Sequence, residues 1–152
     1  MFNEQNPELA SKLAHLLADT VTAKFILHGY HWNVLGPDFG EFHEFFNMLY
    51  EDVDGSIDDL AENILKVGFP APYLLSDYCE LSCIKEDRLD GSSTQFLLQS
   101  AKRVNDTMLH CLFETFAEAE KCNEQGLMDF LATRIDQHKK WNWQIKAFLG
   151  VR

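Results

Sequence analysis

Histidine and carboxylate side chains recur at helical spacing in the first half of the sequence. Steps of three or four residues connect His43, Asn47, Glu51, Asp54, Asp58 and Glu62. On an α-helix such steps keep side chains on one face. His31 lies twelve residues before His43. Imidazole nitrogens and carboxylate oxygens together suit iron, whereas acids alone on a helix are more often a solvated face. The pattern therefore indicates either a metal site or an ordinary acidic surface.

The spacing limits how these residues can share one metal ion. Residues 43 and 58 are fifteen apart, so at about 1.5 Å per residue they lie ~22 Å apart along a helix. Metal–ligand bonds near ~2 Å do not span that distance. The pairs 43/62 and 47/58 share a midpoint between Asp52 and Val53. A second copy related by a two-fold axis near that point would set His43 opposite the partner's Glu62 and residue 47 opposite the partner's Asp58, giving two equivalent sites.

Apolar residues at three- and four-residue steps predict the elements that hold this face. Four long helices are expected at 7–33, 39–67, 94–122 and 127–149, with a short helix at 73–81 in the connector between the second and the third. Asn6-Pro7 is a helix-start signal, and Gly150 is a stop signal. No segment shows a strand pattern. The prediction is one all-α domain over residues 1–152, an antiparallel four-helix bundle.

The composition excludes several classes of function. The chain has 13 Lys and Arg against 24 Asp and Glu, a net charge of −11, which disfavours nucleic acid and favours attraction of cations. No run reaches the ~18–20 apolar residues of a membrane span, and the start lacks a secretory pattern. The expected location is therefore the cytoplasm. The four cysteines have neither disulfide-framework nor thiol-metal spacing, so reduced thiols are expected.

Longer motifs resemble the Dps miniferritins, the DNA-protection-during-starvation proteins. The resemblance extends from about Leu9 to Leu149. Its motifs are HWNVLGPDF at 31–39, HE at 43–44, Asp58-x3-Glu62, GFPAP at 68–72, LSCIKE at 81–86, ATRIDQHK at 132–139, Trp143 and AFL at 147–149.

The resemblance implies a ferritin-like bundle that assembles into a dodecameric hollow shell, takes up ferrous iron, oxidises it with hydrogen peroxide and stores the ferric product. The sequence itself leaves the choice between hydrogen peroxide and oxygen open. The family's oxidation site lies at a two-fold interface. Its ligands match His31, His43 and Asn47 of one subunit with Asp58 and Glu62 of the other. Family members that bind DNA carry a lysine-rich tail, which this chain lacks. Coating of DNA is therefore not expected.

Asn47 departs from the family, which has aspartate there. An amide oxygen can contact a metal but supplies no negative charge. Either Glu44 or Glu51 replaces the lost charge, or the site is weak and needs a second iron or peroxide to assemble. The rival function is a non-enzymatic storage shell, in which Asn47 has ended the oxidation step.

Two further assignments concern residues around the predicted site. Trp32, beside His31, is either an acceptor of stray oxidising equivalents at the catalytic site or a core aromatic. Acidic residues near the start of the last helix line iron-entry pores in the family. The corresponding candidates are Glu120, Glu124 and Asp129.

Overall fold

Six helices make up most of the computed structural model, which describes residues 5–88 and 93–152. They are α1 Pro7–Asn33, α2 Phe39–Gly55, α3 Ile57–Lys66, α4 Leu75–Leu81, α5 Thr94–Lys121 and α6 Gln125–Phe148. Within those residues, β pairing is limited to one isolated bridge between Leu35 and Ser93. The long helices α1, α2–α3, α5 and α6 form the bundle, and α4 lies in the connector. The predicted all-α ferritin-like bundle is confirmed.

Local signals set the helix ends. The Asn6 side chain accepts a hydrogen bond from the Leu9 amide at 3.0 Å. Pro7 occupies the first turn of α1, where a backbone amide has no helical acceptor, so the missing N–H of proline costs no hydrogen bond there. Ser93 caps α5 in the same way. The last helix begins at Gln125, two residues before the predicted start. The short helix begins at Leu75, two residues after its predicted start.

The second long helix is interrupted at Ser56, so the prediction of an unbroken helix over 39–67 was wrong there. The Ser56 hydroxyl donates to the Val53 carbonyl at 2.7 Å, and the Ser56 amide donates to the same oxygen. Serine competes in this way with regular helical bonding, and Gly55 before it has low helix preference. Ser56 keeps right-handed helical angles, and its carbonyl accepts from Leu60. The chain therefore continues from α2 into α3 without reversing.

The core lies where α1 packs against α2 and α5, and where α5 packs against α6. Its fully buried side chains come from every long helix and include Leu13, Leu17, Phe46, Ile64, Leu112, Leu131 and Ile145. Each contributes roughly 1.5–3 kcal/mol by leaving water. Among the described residues, no helix combines the length and the apolar character that crossing a bilayer requires.

One polar network is embedded in this core. Arg134 donates two hydrogen bonds to Asp52, at 2.9 and 3.0 Å, and the Trp141 indole donates to the same carboxylate at 2.7 Å. His138 pairs with Asn105 through its Nδ1 at 2.8 Å, and Asn105 donates to the His138 carbonyl. These five residues, here called the Asp52 network, connect α2, α5 and α6.

Burial and charge fix the protonation of the Asp52 network. Burial alone would raise the pKa of Asp52, but the bidentate Arg134 and the Trp141 indole more than offset it, so the pKa lies below its usual value. Burial, followed by the nearby Arg134 charge, lowers the pKa of His138 to about 3. The network therefore holds an ionised Asp52 and a neutral His138 at pH 7.

Candidate metal centre

His31 and His43 form a mutually bonded pair where α1 ends and α2 begins. His31 Nδ1 lies 2.6 Å from the His43 carbonyl, and His43 Nδ1 lies 2.7 Å from the His31 carbonyl. The two rings stack with centroids 3.8 Å apart and planes 13° from parallel. Because a carbonyl only accepts, each Nδ1 carries the hydrogen and each Nε2 keeps its lone pair. This histidine pair therefore presents two nitrogen ligands in a fixed tautomer.

A tight turn makes this pairing possible. Val34 is fully buried and its amide donates to the Tyr30 carbonyl, which closes α1. Gly36 has a φ of +132°, a backbone conformation that residues with a Cβ rarely adopt. Its carbonyl accepts a hydrogen bond from the Phe39 amide. Phe39 then stacks on the His43 ring at 4.9 Å. The turn folds α2 back along α1 and holds the two rings together.

Three carboxylates cluster on α3. One oxygen from each of Asp58, Asp59 and Glu62 lies within 4.8 Å of the others, and all three residues are exposed. Asp58 and Glu62 were predicted to act together, and the structure brings them together. Asp59 was missed because the argument followed steps of three and four along one helical face. An acid directly beside Asp58 was the available signal. The three residues are called the acidic cluster below.

The histidine pair and the acidic cluster do not combine within one chain. In residues 5–88 and 93–152, the group of potential ligands that lies close together contains the three acids and neither histidine. The polar face between them is accessible: Glu51 and Asp54 are exposed, and Asn47 is half-buried. Asp52 itself points inward, bonded to Arg134. Glu51 and Asp54 share the midpoint of the proposed two-fold axis, so they are the residues that would flank it at the surface.

Among the described residues, no close group of three ligand atoms joins Glu44 or Glu51 to the histidine pair. Glu44 and Glu51, the predicted substitutes, are both exposed. Asp54 lies 3.8 Å from the Lys24 ammonium, a separation at which an exposed pair contributes little. Asp59 is the additional carboxylate that the structure places beside two expected ligands.

Aromatic rings surround the histidine pair on the side of α1. Trp32 is 62% exposed, so the core interpretation of this residue does not hold within the chain. Its ring lies 4.1 Å from His28, and His28 stacks on Tyr50 at 3.9 Å. Tyr50 in turn lies 5.5 Å from the His31 ring. Sequence reasoning assigned no role to Tyr50, although it lies seven residues after His43 and so shares its face.

The predicted pore residues lie at the junction of α5 and α6. Glu120 is in the last turn of α5, Glu124 precedes α6, and Asp129 follows in its second turn; all three are exposed. Asn123, with φ of +56°, makes the turn between the helices. The arrangement gives one end of the bundle an accessible acidic surface, and its role remains a prediction.

Comparison with known proteins agrees with this architecture. The ferritin-like domain family matches residues 10–151. The DNA protection during starvation protein of Brevibacillus brevis is 32% identical over 146 residues, covering 93% of this chain and 94% of that protein. An uncharacterized protein of Haemophilus influenzae is also 32% identical, over 143 residues, covering 94% of this chain and 89% of the relative. These matches define the class as a ferritin-like helical bundle.

Solved structures narrow the class further. A Dps protein from Bacillus brevis superposes with a TM-score of 0.90 at 30% identity, covering 98% of this chain and 99% of that one. The Dps protein of Vibrio cholerae O1 gives 0.91 at 28% identity and 98% coverage of both chains. The latter is described as a member of a superfamily of ferritin-like diiron-carboxylate proteins. The chain therefore belongs to the ferritin-like family as a Dps-like miniferritin.

Proposed function

We propose that this protein binds ferrous iron, oxidises it with hydrogen peroxide and stores the ferric product inside a shell of identical subunits. The observation that carries the proposal is the histidine pair, whose two Nε2 atoms are free to bind a metal while both Nδ1 atoms are fixed by backbone carbonyls. The diiron-carboxylate description of the Vibrio cholerae relative supports iron as the metal.

The ligands are completed by a second copy. His31, His43 and Asn47 come from one subunit, with Asp58 and Glu62 from an antiparallel partner. The ~22 Å separation of the two halves along one helix supports this arrangement, as does the common midpoint of the residue pairs. A two-fold dimer would contain two such sites. By the family resemblance, six dimers would make the dodecameric shell.

The ligand types suit the reaction. Neutral imidazole binds ferrous iron, and carboxylates stabilise the more highly charged ferric product. Five protein ligands shared between two irons leave coordination positions open for the oxidant. When two irons are bound, each gives one electron to peroxide: 2 Fe²⁺ + H₂O₂ → 2 Fe³⁺ + 2 OH⁻. No hydroxyl radical is released, which would protect the cell from oxidative damage.

Asp59 compensates for Asn47 in this proposal. Replacing the family's aspartate by Asn47 removes one negative charge from the site. Asp59 adds one carboxylate within 4.8 Å of oxygens of Asp58 and Glu62, so the total charge of the ligand set is restored. Glu44 and Glu51 belong to no such group in the described part of the chain. Asp59 is therefore the better candidate, and a working site is favoured over an inactive one.

Iron is proposed to enter beside Glu120, Glu124 and Asp129. The negative charge of these exposed acids, together with the net negative charge of the shell, would attract ferrous iron. Changing them to Gln and Asn should slow uptake of many irons per shell, while oxidation of the first iron added per site stays unchanged. If both phases are unaffected, iron enters elsewhere.

The function is tested by mixing the assembled protein with ferrous iron and peroxide without oxygen. Ferric absorbance should rise quickly in the wild type and only at the protein-free rate in His31→Ala/His43→Ala. His110→Ala is the matched control, because His110 is an exposed histidine near Glu114 on α5; its rate should equal that of the wild type. The alternative that Asn47 favours is a storage shell without oxidation. In that case the wild type would bind iron yet oxidise it no faster than the double variant.

A further inference from the structure

The LSCIKE motif at residues 81–86 is anchored to α1 by one buried carboxylate. Asp19 Oδ1 accepts hydrogen bonds from the Ser82 hydroxyl at 2.8 Å, the Cys83 amide at 2.6 Å and the Ile84 amide at 3.3 Å. The other oxygen, Oδ2, has no hydrogen-bond partner within residues 5–88 and 93–152, although Asp19 is fully buried. A buried carboxylate oxygen without a partner is costly. Anchoring the motif does not explain it, because Oδ1 alone makes those bonds.

Two contacts fix the register between α1 and α5. The Tyr30 hydroxyl, near the end of α1, lies 2.6 Å from the Ser100 hydroxyl, near the start of α5. The Asn6 side chain, at the start of α1, donates a hydrogen bond to the Cys122 sulfur, at the end of α5, over 2.8 Å. The two helices are therefore antiparallel. Because both rise by the same amount per residue, positions equally far from the tyrosine–serine contact lie at the same level.

This register places the thiols of Cys83 and Cys111 around Asp19. Asp19 and Cys111 each lie eleven residues from the tyrosine–serine contact, and both are buried. Burial, followed by the charge of Asp19, raises the pKa of Cys111 to about 12. Cys83 reaches the same carboxylate through its amide. Burial raises the pKa of the Cys83 thiol as well, followed by the charges of Asp19 and of Glu114, which is one turn after Cys111 on α5. The connector and α5 therefore bring two thiols to one carboxylate.

We propose that Cys83 and Cys111 are a redox-active pair, which hydrogen peroxide converts into a disulfide between the connector and α5. Both are free thiols in this structure; Cys83 is exposed and Cys111 is buried. The oxidant therefore meets Cys83 first, and Cys111 is the thiol that completes the bond. The inference goes beyond the proposed function, because neither cysteine belongs to the metal centre and no iron takes part.

The reaction balances in two steps. In the first, the Cys83 sulfur attacks peroxide, the oxygen–oxygen bond breaks and water leaves: Cys83–SH + H₂O₂ → Cys83–SOH + H₂O. In the second, the Cys111 sulfur attacks the Cys83 sulfur and the sulfur–oxygen bond breaks: Cys83–SOH + Cys111–SH → Cys83–S–S–Cys111 + H₂O. Asp19 Oδ2 takes the proton of the Cys111 thiol and passes it to the departing hydroxide, which leaves as water. Peroxide receives two electrons, one from each sulfur.

The raised pKa of both thiols sets the speed of this reaction. Thiolates are the reactive form, and at pH 7 both cysteines are held as neutral thiols. The pair therefore responds to sustained exposure to peroxide and not to a brief one. A thiol reductant reverses the link.

The test treats the assembled, iron-free protein with excess hydrogen peroxide, blocks the remaining thiols and maps the peptides by mass spectrometry. A peptide linking Cys83 to Cys111 should accumulate over time and disappear after dithiothreitol. Cys83→Ser and Cys111→Ser should each abolish it. In Cys79→Ser/Cys122→Ser, which retains only the proposed pair, free thiols should fall from two to none per chain. This double variant is also the matched control, because Cys79 is a second exposed cysteine of the connector.

The other products overturn the proposal. These are disulfides between chains with Cys111 still free, a sulfinic acid at Cys83 without a link, or thiols that stay unchanged. Asp19→Asn keeps an oxygen for the amide hydrogen bonds but loses the proton acceptor, so the link should form several-fold more slowly; an unchanged rate overturns the role of Asp19. The outcome is separable from the proposed function, because the link should form equally fast in His31→Ala/His43→Ala.

Discussion

The Asp52 network and the proposed metal centre use the same residue types in opposite ways. In the network, the Asp52 carboxylate receives three hydrogen bonds and His138 has partners at both ring nitrogens. In the proposed centre, each histidine of the pair has a partner at Nδ1 alone among residues 5–88 and 93–152, and the acidic cluster is exposed. Both regions use histidines and carboxylates, but only the histidine pair and the acidic cluster keep atoms that are available to a ligand.

This difference distinguishes polar residues that stabilise the fold from polar residues that bind a ligand. A buried polar group must have every donor and acceptor satisfied, because an unpaired one costs about 1–3 kcal/mol. A binding site needs the reverse, namely unsatisfied atoms held in place near the surface until a ligand arrives. The reciprocal Nδ1 bonds orient the rings of His31 and His43 and leave the two Nε2 atoms available to a ligand. Changes in the network should therefore alter stability, and changes in the centre should alter chemistry.

Breaking the network should have the largest effect on stability. Arg134→Met leaves the ionised Asp52 partly buried without its bidentate partner, and the free energy of unfolding should fall by about 3–5 kcal/mol. Urea denaturation followed by circular dichroism, at one protein concentration, measures the change. Arg103→Met is the control, because Arg103 is exposed on α5; it should stay within ~0.5 kcal/mol of the wild type. Equal effects from the two variants would mean that the network is not a structural unit.

The pH dependence should identify His138 as the buried histidine. Its pKa in the folded protein is lowered to about 3, whereas in the unfolded chain it is near ~6.5. Between pH ~6.5 and pH ~3, His138 therefore binds a proton in the unfolded chain and stays neutral in the folded protein. From pH 7.5 to 4.5 the free energy of unfolding should fall by roughly 3 kcal/mol from this residue. Asp52 contributes little in this window, since it stays ionised in both states.

Urea titrations at several pH values would show this slope. His138→Gln should lose most of it, and His110→Gln, with an exposed side chain, should retain it. A wild-type profile that is flat between pH 7.5 and 4.5 would contradict a neutral buried His138.

The smallest expected effect concerns charge in the metal centre. Asp59→Asn should weaken ferrous iron binding by about three- to tenfold, since one anionic oxygen is lost, and should leave stability within ~0.5 kcal/mol. Asn47→Asp should strengthen binding or speed oxidation, and should offset Asp59→Asn in the double variant. Titration with ferrous iron without oxygen measures each. Glu44→Gln and Glu51→Gln are the comparison variants; a greater loss in either would move the compensating charge there. If Asn47→Asp changes neither property, residue 47 is not a ligand.

The sequence predicts the bundle well because its signals are local and repeated. The helix over Pro7–Asn33 has a cap, a proline in its first turn and an apolar stripe, and the structure has the same bounds. The interruption at Ser56 was missed because it depends on one hydrogen bond from the Ser56 hydroxyl to the Val53 carbonyl. The spacing of apolar residues does not reveal such a bond. Asp52 is a second example, because it lies between the exposed acids Glu51 and Asp54 in the sequence, yet its side chain points inward to Arg134 and Trp141.

The metal centre was only partly predictable for a physical reason. Spacing indicates which side chains share a face, and it therefore grouped Asp58 with Glu62. It does not reveal that the imidazoles of His31 and His43 fix each other through backbone carbonyls, because that depends on the turn geometry at Gly36. The stack of Tyr50 on His28 is likewise a contact between two helices. The proposal that the acidic cluster completes the site of a partner subunit depends on how two copies pair, which the sequence of one chain does not encode.

Complementation between two inactive variants tests the shared centre most directly. One variant is His31→Ala/His43→Ala, which keeps the acids, and the other is Asp58→Asn/Glu62→Gln, which keeps the histidines. Each alone should oxidise ferrous iron at the protein-free rate. Reassembled from an equal mixture, half of the dimers pair unlike subunits and contain one intact site of two, so about a quarter of the wild-type rate should return. A mixture as inactive as its components, with mixed dimers shown by mass spectrometry, would contradict a centre shared between subunits.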